Sequence, residues 1–174
     1  MKISVYIGKS LDGFIARNDG NIDWLVRFEN DEIARSYTEF IGRIDAMVIG
    51  RGTFEKVLSF PSWPYERPVF VLSTSIKKVP DVVAGKVTII SMAPKEVLHY
   101  LSKKGFSNIY IDGGKVIQSF LREGYVDELI VTTVPSLIGK GISLFGDINT
   151  DIEFRHIKTD VYRNGLVKSQ YEKK

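Results

Sequence analysis

The sequence predicts an α/β fold: a three-layer sandwich with a mainly parallel twisted sheet and antiparallel strands at the C-terminal edge. Three observations lead there. Short apolar segments such as Ala46–Gly50 (AMVIG) and Pro68–Ser73 (PVFVLS) suit strands covered on both faces. Segments with apolar residues at helical spacing alternate with them, as in layered α/β domains. The end of the chain is strand-rich without intervening helices, which adds antiparallel strands at one edge.

Taken in order, Lys2–Lys9 (KISVYIGK) is β-branched and aromatic and reads as a buried strand. Ser10–Asp23 is turn-rich around the apolar Phe14-Ile15-Ala16. Asp31–Ile41 places Ile33, Ala34, Tyr37, Phe40 and Ile41 on one helical stripe. Ala46–Gly50 is a strand, Thr53–Leu58 a short helix, and Pro61–Pro68 a surface loop. Pro68–Ser73 and Val87–Ile90 are strands. Pro94–Lys104 is a helix with Pro at its start, closed by Gly105 in the left-handed position and Phe106 beyond it. Asn108–Asp112 is a strand, and Lys115–Glu123 a helix with Val116, Ile117, Phe120 and Leu121 inward, ended in the same way by Gly124-Tyr125. Glu128–Pro135 is a long strand. Ile152–Lys158 and Leu166–Tyr171 form a final antiparallel pair turned at Arg163-Asn164-Gly165.

With 174 residues the chain makes about one domain at roughly 150 residues each, with no repeat and no linker. Its 24 basic and 21 acidic residues are scattered, so no basic stripe for nucleic acid is present. The absence of Cys excludes disulfides, zinc-thiolate sites, iron–sulfur clusters and a thiol nucleophile, and two His exclude a histidine-rich metal site. No apolar run approaches the roughly 18 residues of a membrane span, and the N-terminus lacks a signal-peptide layout. The expectation is a soluble, cytoplasmic, single-domain protein without metal, membrane or nucleic-acid partners.

In parallel α/β sheets ligands bind beyond the carboxyl ends of the strands. Two strand-to-helix junctions carry glycines there: Ile49-Gly50-Arg51-Gly52-Thr53 and Ile111-Asp112-Gly113-Gly114-Lys115. Helix N-termini with exposed backbone N–H groups suit an anion, and Arg51 adds a bidentate cation. Neither is a GxGxxG or a GxxxxGK[ST] motif. Either alone can be a plain tight turn; the two together point to a dinucleotide. A Cβ at Gly113 or Gly114 would stand in the path of a pyrophosphate. A third junction, Leu72-Ser73-Thr74-Ser75, is either a polar loop or a holder of a 2′-phosphate.

The succession KISVYIGKSLDGFIA, NIDWL, VIGRGTFE, VFVLSTS, NIYIDGGKVIQSFL and DELIVTTVPSLIGKGISLF resembles the dihydrofolate reductase superfamily over nearly the whole chain. The branch it resembles most contains the reductase domain of the bacterial riboflavin-pathway deaminase/reductase. The resemblance implies an NADPH-dependent reductase. On it, Gly50, Arg51, Gly52 and Thr53 match the loop holding the cofactor phosphates. Ser73 and Thr74 match the segment contacting the 2′-phosphate. Gly113, Gly114, Lys115 and Val116 match the segment against the pyrophosphate and nicotinamide ribose, and Gly8 and Ala16 the edges holding the carboxamide. Trp24 matches a tryptophan at a loop over the substrate pocket. The carboxylate five residues after that tryptophan is Glu29, and Asp23 stands where dihydrofolate reductases carry proline. The proton donor stands open between Glu29, Asp23 and Asp12.

The resemblance implies a pyrimidine or pterin-type substrate such as 5-amino-6-(5-phosphoribosylamino)uracil, and a homodimer. The alternatives are a dihydrofolate or pterin reductase, and a pterin- or nucleotide-binding module without turnover. Several conspicuous residues read as structural. Phe40, Phe120, Tyr110 and Phe145 belong to the core, His99 and His156 to the surface, and Trp63 to a packed loop. Glu123, Asp127 and Glu128 form a solvated charge cluster, and Asp112 serves the N–H groups of its own turn.

Overall fold

A computed structural model describes residues 1–174. Its central sheet holds β1 (Lys2–Ser10), β3 (Ala46–Gly50), β4 (Val69–Leu72), β5 (Val87–Ile90), β6 (Asn108–Asp112), β7 (Glu128–Val134), β9 (Phe154–Val161) and β10 (Val167–Lys173). The strand order is β5-β4-β3-β6-β1-β7-β10-β9. The pairs from β5 to β7 are parallel, and β10 joins β7 and β9 antiparallel. The expected architecture is therefore the observed one. A separate ribbon pairs β2 (Phe14–Ala16) with β8 (Ile142–Ser143). It lies in segments whose few apolar residues are too short a run to signal a strand.

Two-residue alternation explains the layers. Ala46 and Val48 join one core with Ile109, Ile111 and the inner faces of α4 (Pro94–Lys103) and α5 (Gly114–Arg122). Met47 and Ile49 point the other way and pack with Phe40 of α2 (Asp31–Gly42) and Phe54 of α3 (Arg51–Leu58). Both faces are covered, hence the unbroken apolar strands.

Helix ends follow their local signals. After α4, Gly105 adopts φ 85°, its N–H donates to the Ser102 carbonyl, and the Phe106 N–H donates to Leu101. This paired closure satisfies carbonyls the helix leaves open, and Gly124-Tyr125 close α5 with the equivalent bonds to Leu121 and Phe120. Asn30 caps α2, its side-chain oxygen accepting from the Ile33 N–H at 2.9 Å. Helix α3 begins at Arg51 and α5 at Gly114, earlier than the apolar stripes alone suggest. A short helix, α1 (Asp23–Val26), closes the turn-rich stretch.

Two expectations are corrected. Phe145 is 50% exposed and lies outside the core, because the loop after β8 runs over the surface. Glu128 is not solvated: its side chain is 0% exposed. Its carboxylate accepts from Arg43 Nη2 at 2.6 Å, Gln170 Nε2 at 2.9 Å and Lys2 Nζ at 3.2 Å, and the neighbouring Asp127 accepts from the Ile3 N–H at 2.7 Å. This cluster ties β1, β7, β10 and the end of α2 together at the amino end of the sheet. Burial alone would raise the Glu128 carboxyl, but donation from Arg43 and Ser4 and the charges of Arg43 and Lys2 outweigh it and hold it below its ordinary 4.5.

A carboxyl depressed on folding stabilises the protein above its unfolded value and loses that contribution as pH falls through the folded one. Glu128→Ala should cost about 2 kcal/mol or more at pH 7, less than a wholly buried pair because Lys2 and Arg43 reach water. The gap in melting temperature between variant and parent should be wide at pH 7 and narrow well below pH 4.5; thermal melts at both pH values check it.

Candidate functional site

A cleft of about 1770 Å³ opens at the carboxyl ends of β1, β3, β4 and β6. Its position follows from the parallel sheet, which collects strand ends and helix N-termini on one side. The pairing of β3 with β6 sets Ile49 opposite Asp112, so the two glycine junctions emerge as neighbours. Gly113 takes φ 93°, and a Cβ there would meet Thr53 Oγ1 at 2.6 Å, so the two junctions pack directly on one another. No other residue type combines that backbone with that approach.

Room and charge on this side fit a phosphate-bearing ligand. A Cβ on Gly52 would meet nothing within 4 Å. Across the cleft Arg51 Nη1 donates to Ser75 Oγ at 2.9 Å, and the Ser75 and Ser73 hydroxyl oxygens lie 3.3 Å apart. Ser73 Oγ also accepts from the Ile76 N–H at 3.1 Å, which fixes the loop, and Lys77 Nζ donates to the Thr74 carbonyl at 3.0 Å. Arg51, Ser73 and Thr74 are thus brought together. Ser75, part of the third junction but not singled out there, is distinguished from its neighbours in the STS run by a contact 24 positions away.

Gly8, Ala16, Gly50, Lys115 and Val116 also line the cleft. Gly114 does too, yet its lack of a Cβ has a different cause from the one expected. A Cβ there would lie 2.8 Å from Ile142 Cγ2 and 3.2 Å from the Ser143 carbonyl oxygen. The β8 strand, not a ligand, occupies that direction.

The candidate acids separate. Glu29 lines the cleft from an exposed position after α1. Asp23 does not reach it: its carboxylate is paired with Arg17 on the surface, at 2.7 and 3.0 Å. Asp12 accepts from the Ile138 and Gly139 N–H groups at 3.1 and 2.7 Å and pins that loop to the end of β1. Trp24 is not a pocket wall. It is 2% exposed, packed among Val134, Leu166, Leu25 and Phe28, beneath the segment that carries Glu29. A lone tryptophan in a turn-rich stretch gives no sign of which face it takes.

The carboxylate the sequence undervalued is Asp112. It shares a strand face with Tyr110, two residues earlier, and so points into the cleft, half-buried, with no side-chain partner. Burial pushes its carboxyl up to about 6, with only the Gly113 N–H opposing. Tyr37, Tyr65 and Tyr110 stand around it; burial and the Asp112 charge push the Tyr37 phenol up to about 12 and the Tyr65 phenol further. The rings brace one another edge to face: Phe40 on Tyr110 at 5.1 Å and Trp63 on Tyr65 at 5.3 Å between centroids. Tyr110 Oη donates to the Tyr6 carbonyl at 2.9 Å, and Tyr6 Oη lies 3.1 Å from Ser36 Oγ.

A chain with this arrangement matches known proteins throughout its length. The RibD C-terminal domain family model matches residues 1–168. A Shewanella sp. PV-4 protein, provisionally named for riboflavin biosynthesis, is 39% identical, with a TM-score of 0.94 over 100% of this chain and 99% of that one. The Thermotoga maritima diaminohydroxyphosphoribosylaminopyrimidine deaminase/5-amino-6-(5-phosphoribosylamino)uracil reductase superposes with a TM-score of 0.78 at 16% identity, over 99% of this chain and 56% of that one. Dihydrofolate reductase of Enterococcus faecalis, complexed with NADP(H), gives 0.70 at 19% identity, over 99% and 96%. The last two likenesses are of fold.

An aspartate raised on folding stabilises least when ionised, so its cost appears as pH rises from 3.8 through about 6. Asp112→Asn should therefore melt a few degrees above the parent at pH 8, with the gap closing below pH 3.8. Melting curves across that range check it; a gap independent of pH would contradict a buried, raised carboxyl.

Proposed function

The chain belongs to the RibD C-terminal domain family, and from that premise we propose that it is an NADPH-dependent reductase of a pyrimidine or pterin-type substrate. The observation that carries the reading is the bond from Arg51 Nη1 to Ser75 Oγ, with Ser73 beside it, at the start of α3. A guanidinium and two hydroxyls converging beside a helix N-terminus suit a terminal phosphate monoester, the group that distinguishes NADPH from NADH.

NADPH, when bound, supplies a hydride to an electrophilic carbon. The chain does the rest. Backbone N–H groups of Gly50–Thr53 and Gly113–Val116 would hold the pyrophosphate, and Gly8 and Ala16 would border the nicotinamide. Tyr6, Tyr37, Tyr65 and Tyr110 line the substrate side and would displace water there once a flat ring is seated. Protonated Asp112 gives its proton to the heteroatom beside the reduced carbon, with a carboxyl poised near working pH as general acids require. Glu29, exposed and lining the cleft, would return a proton from solvent. The riboflavin-pathway intermediate named for the Thermotoga maritima protein is the reference substrate. The outer edge of β9, with Ile157 and Val161 exposed, supports pairing with a second copy.

Charge-assisted hydrogen bonds contribute roughly 1.5–3 kcal/mol each, so one surviving contact to the 2′-phosphate gives about tenfold. Fluorescence titration should show NADPH binding at least about tenfold tighter than NADH. Arg51→Ala should remove most of that difference and leave NADH affinity within about threefold. Equal affinities of the parent for both cofactors would overturn the reading.

A further inference from the structure

Helix α3 opens on Arg51 and carries Glu55 one turn later, on the same face. Both residues line the cleft. Glu55 Oε1 stands 3.3 Å from Arg51 Nε, while Arg51 Nη1 donates to Ser75 Oγ at 2.9 Å. The guanidinium is thus engaged on two edges, by an acid of its own helix and by a hydroxyl across the cleft. Glu55 has no other side-chain partner. Its pair with Arg51 contributes little to the fold. Both side chains are more than half exposed, and the cation precedes the acid, the weaker order along a helix.

From this placement, and resting on the reductase reading above, we infer that Glu55 is a specificity-determining residue of the cofactor site. It narrows the preference for NADPH over NADH that Arg51, Ser73 and Ser75 create. A phosphate monoester carries about −1.5 to −2 charges at pH 7. Seated against Arg51 and the two hydroxyls, it must share the guanidinium with a carboxylate that already holds the Nε edge, and the two anions repel across it. NADH brings an uncharged ribose hydroxyl to the same place. That hydroxyl meets no such repulsion and is itself a donor that a carboxylate accepts. An arginine facing a 2′-phosphate and an acid facing a ribose hydroxyl are two general ways of reading this position. Here both stand one turn apart on α3. The nearby cations leave Glu55 unopposed except by Arg51: Lys77 Nζ donates to the Thr74 carbonyl at 3.0 Å, and Lys78 pairs with Asp81 at 3.5 Å.

The test is fluorescence titration of the parent, Glu55→Gln and Glu55→Lys with NADPH and with NADH, at low and at high salt. Glu55→Gln should tighten NADPH by about threefold or more while NADH affinity stays within about twofold, so the ratio between them widens. Glu55→Lys should widen it further. The gain should shrink as salt rises from about 0.05 M to about 0.5 M, because exposed charges are screened over that range. A merely structural role would move both cofactors together and leave the ratio unchanged, which would overturn the inference. Weaker NADPH binding by Glu55→Gln would overturn it too, since Glu55 would then be aiming Arg51 at the phosphate. So would a gain independent of salt. Failure of the parent to bind NADPH at all would instead remove the reductase reading, and this inference with it.

Discussion

The parallel pairing of β3 with β6, Ile49 opposite Asp112, is the constraint from which the site follows. These strands are far apart in sequence, and only their lateral pairing brings Gly50 and Gly113 out of the sheet side by side. Two helices then start within contact of each other, Thr53 against Gly113, and their N–H groups share one cleft. The register holds because both strands are apolar on both faces. A slip by one residue would exchange Met47 and Ile49 for Ala46 and Val48 between two differently shaped cores.

The parts of this arrangement written in local sequence were legible. Apolar strands, helical stripes, the Gly-aromatic helix ends and the two glycine junctions all act through neighbours a few residues away, and the structure has them close to where the sequence indicates. What depends on distant partners was not legible. Glu128 reads as one of a run of surface charges until Arg43, 85 positions away, and Gln170 close over it. Trp24 is buried in a core instead of walling the pocket, and Phe145 lies on the surface instead of in the core, because nothing local reports which face a loop residue takes. Gly114 is small to admit β8, a strand of two residues with no pattern of its own. Asp112 was weighed as a turn residue, and its importance lies in the absence of a partner, which only the three-dimensional neighbourhood reveals.

The two perturbed carboxylates sit at opposite ends of the sheet and differ in kind. Glu128 is surrounded by donors, is held ionised, and fastens strands. Asp112 is surrounded by phenol rings, is pushed toward its neutral form, and costs stability at neutral pH. A fold tolerates such a group where it does chemistry, and perturbed carboxyls in clefts mark such places. The same cleft carries Arg51 and Lys56 on α3 and Lys115 on α5, so cations and a raised carboxyl share one opening.

The most direct measurement of this account is a crystal structure of the protein with NADP⁺. The account predicts the 2′-phosphate against Arg51, Ser73 and Ser75, the pyrophosphate between the Gly50–Thr53 and Gly113–Val116 segments, and the nicotinamide ring toward Gly8 and Asp112. A dinucleotide lying in the opposite sense, or bound away from the paired glycine junctions, would contradict it.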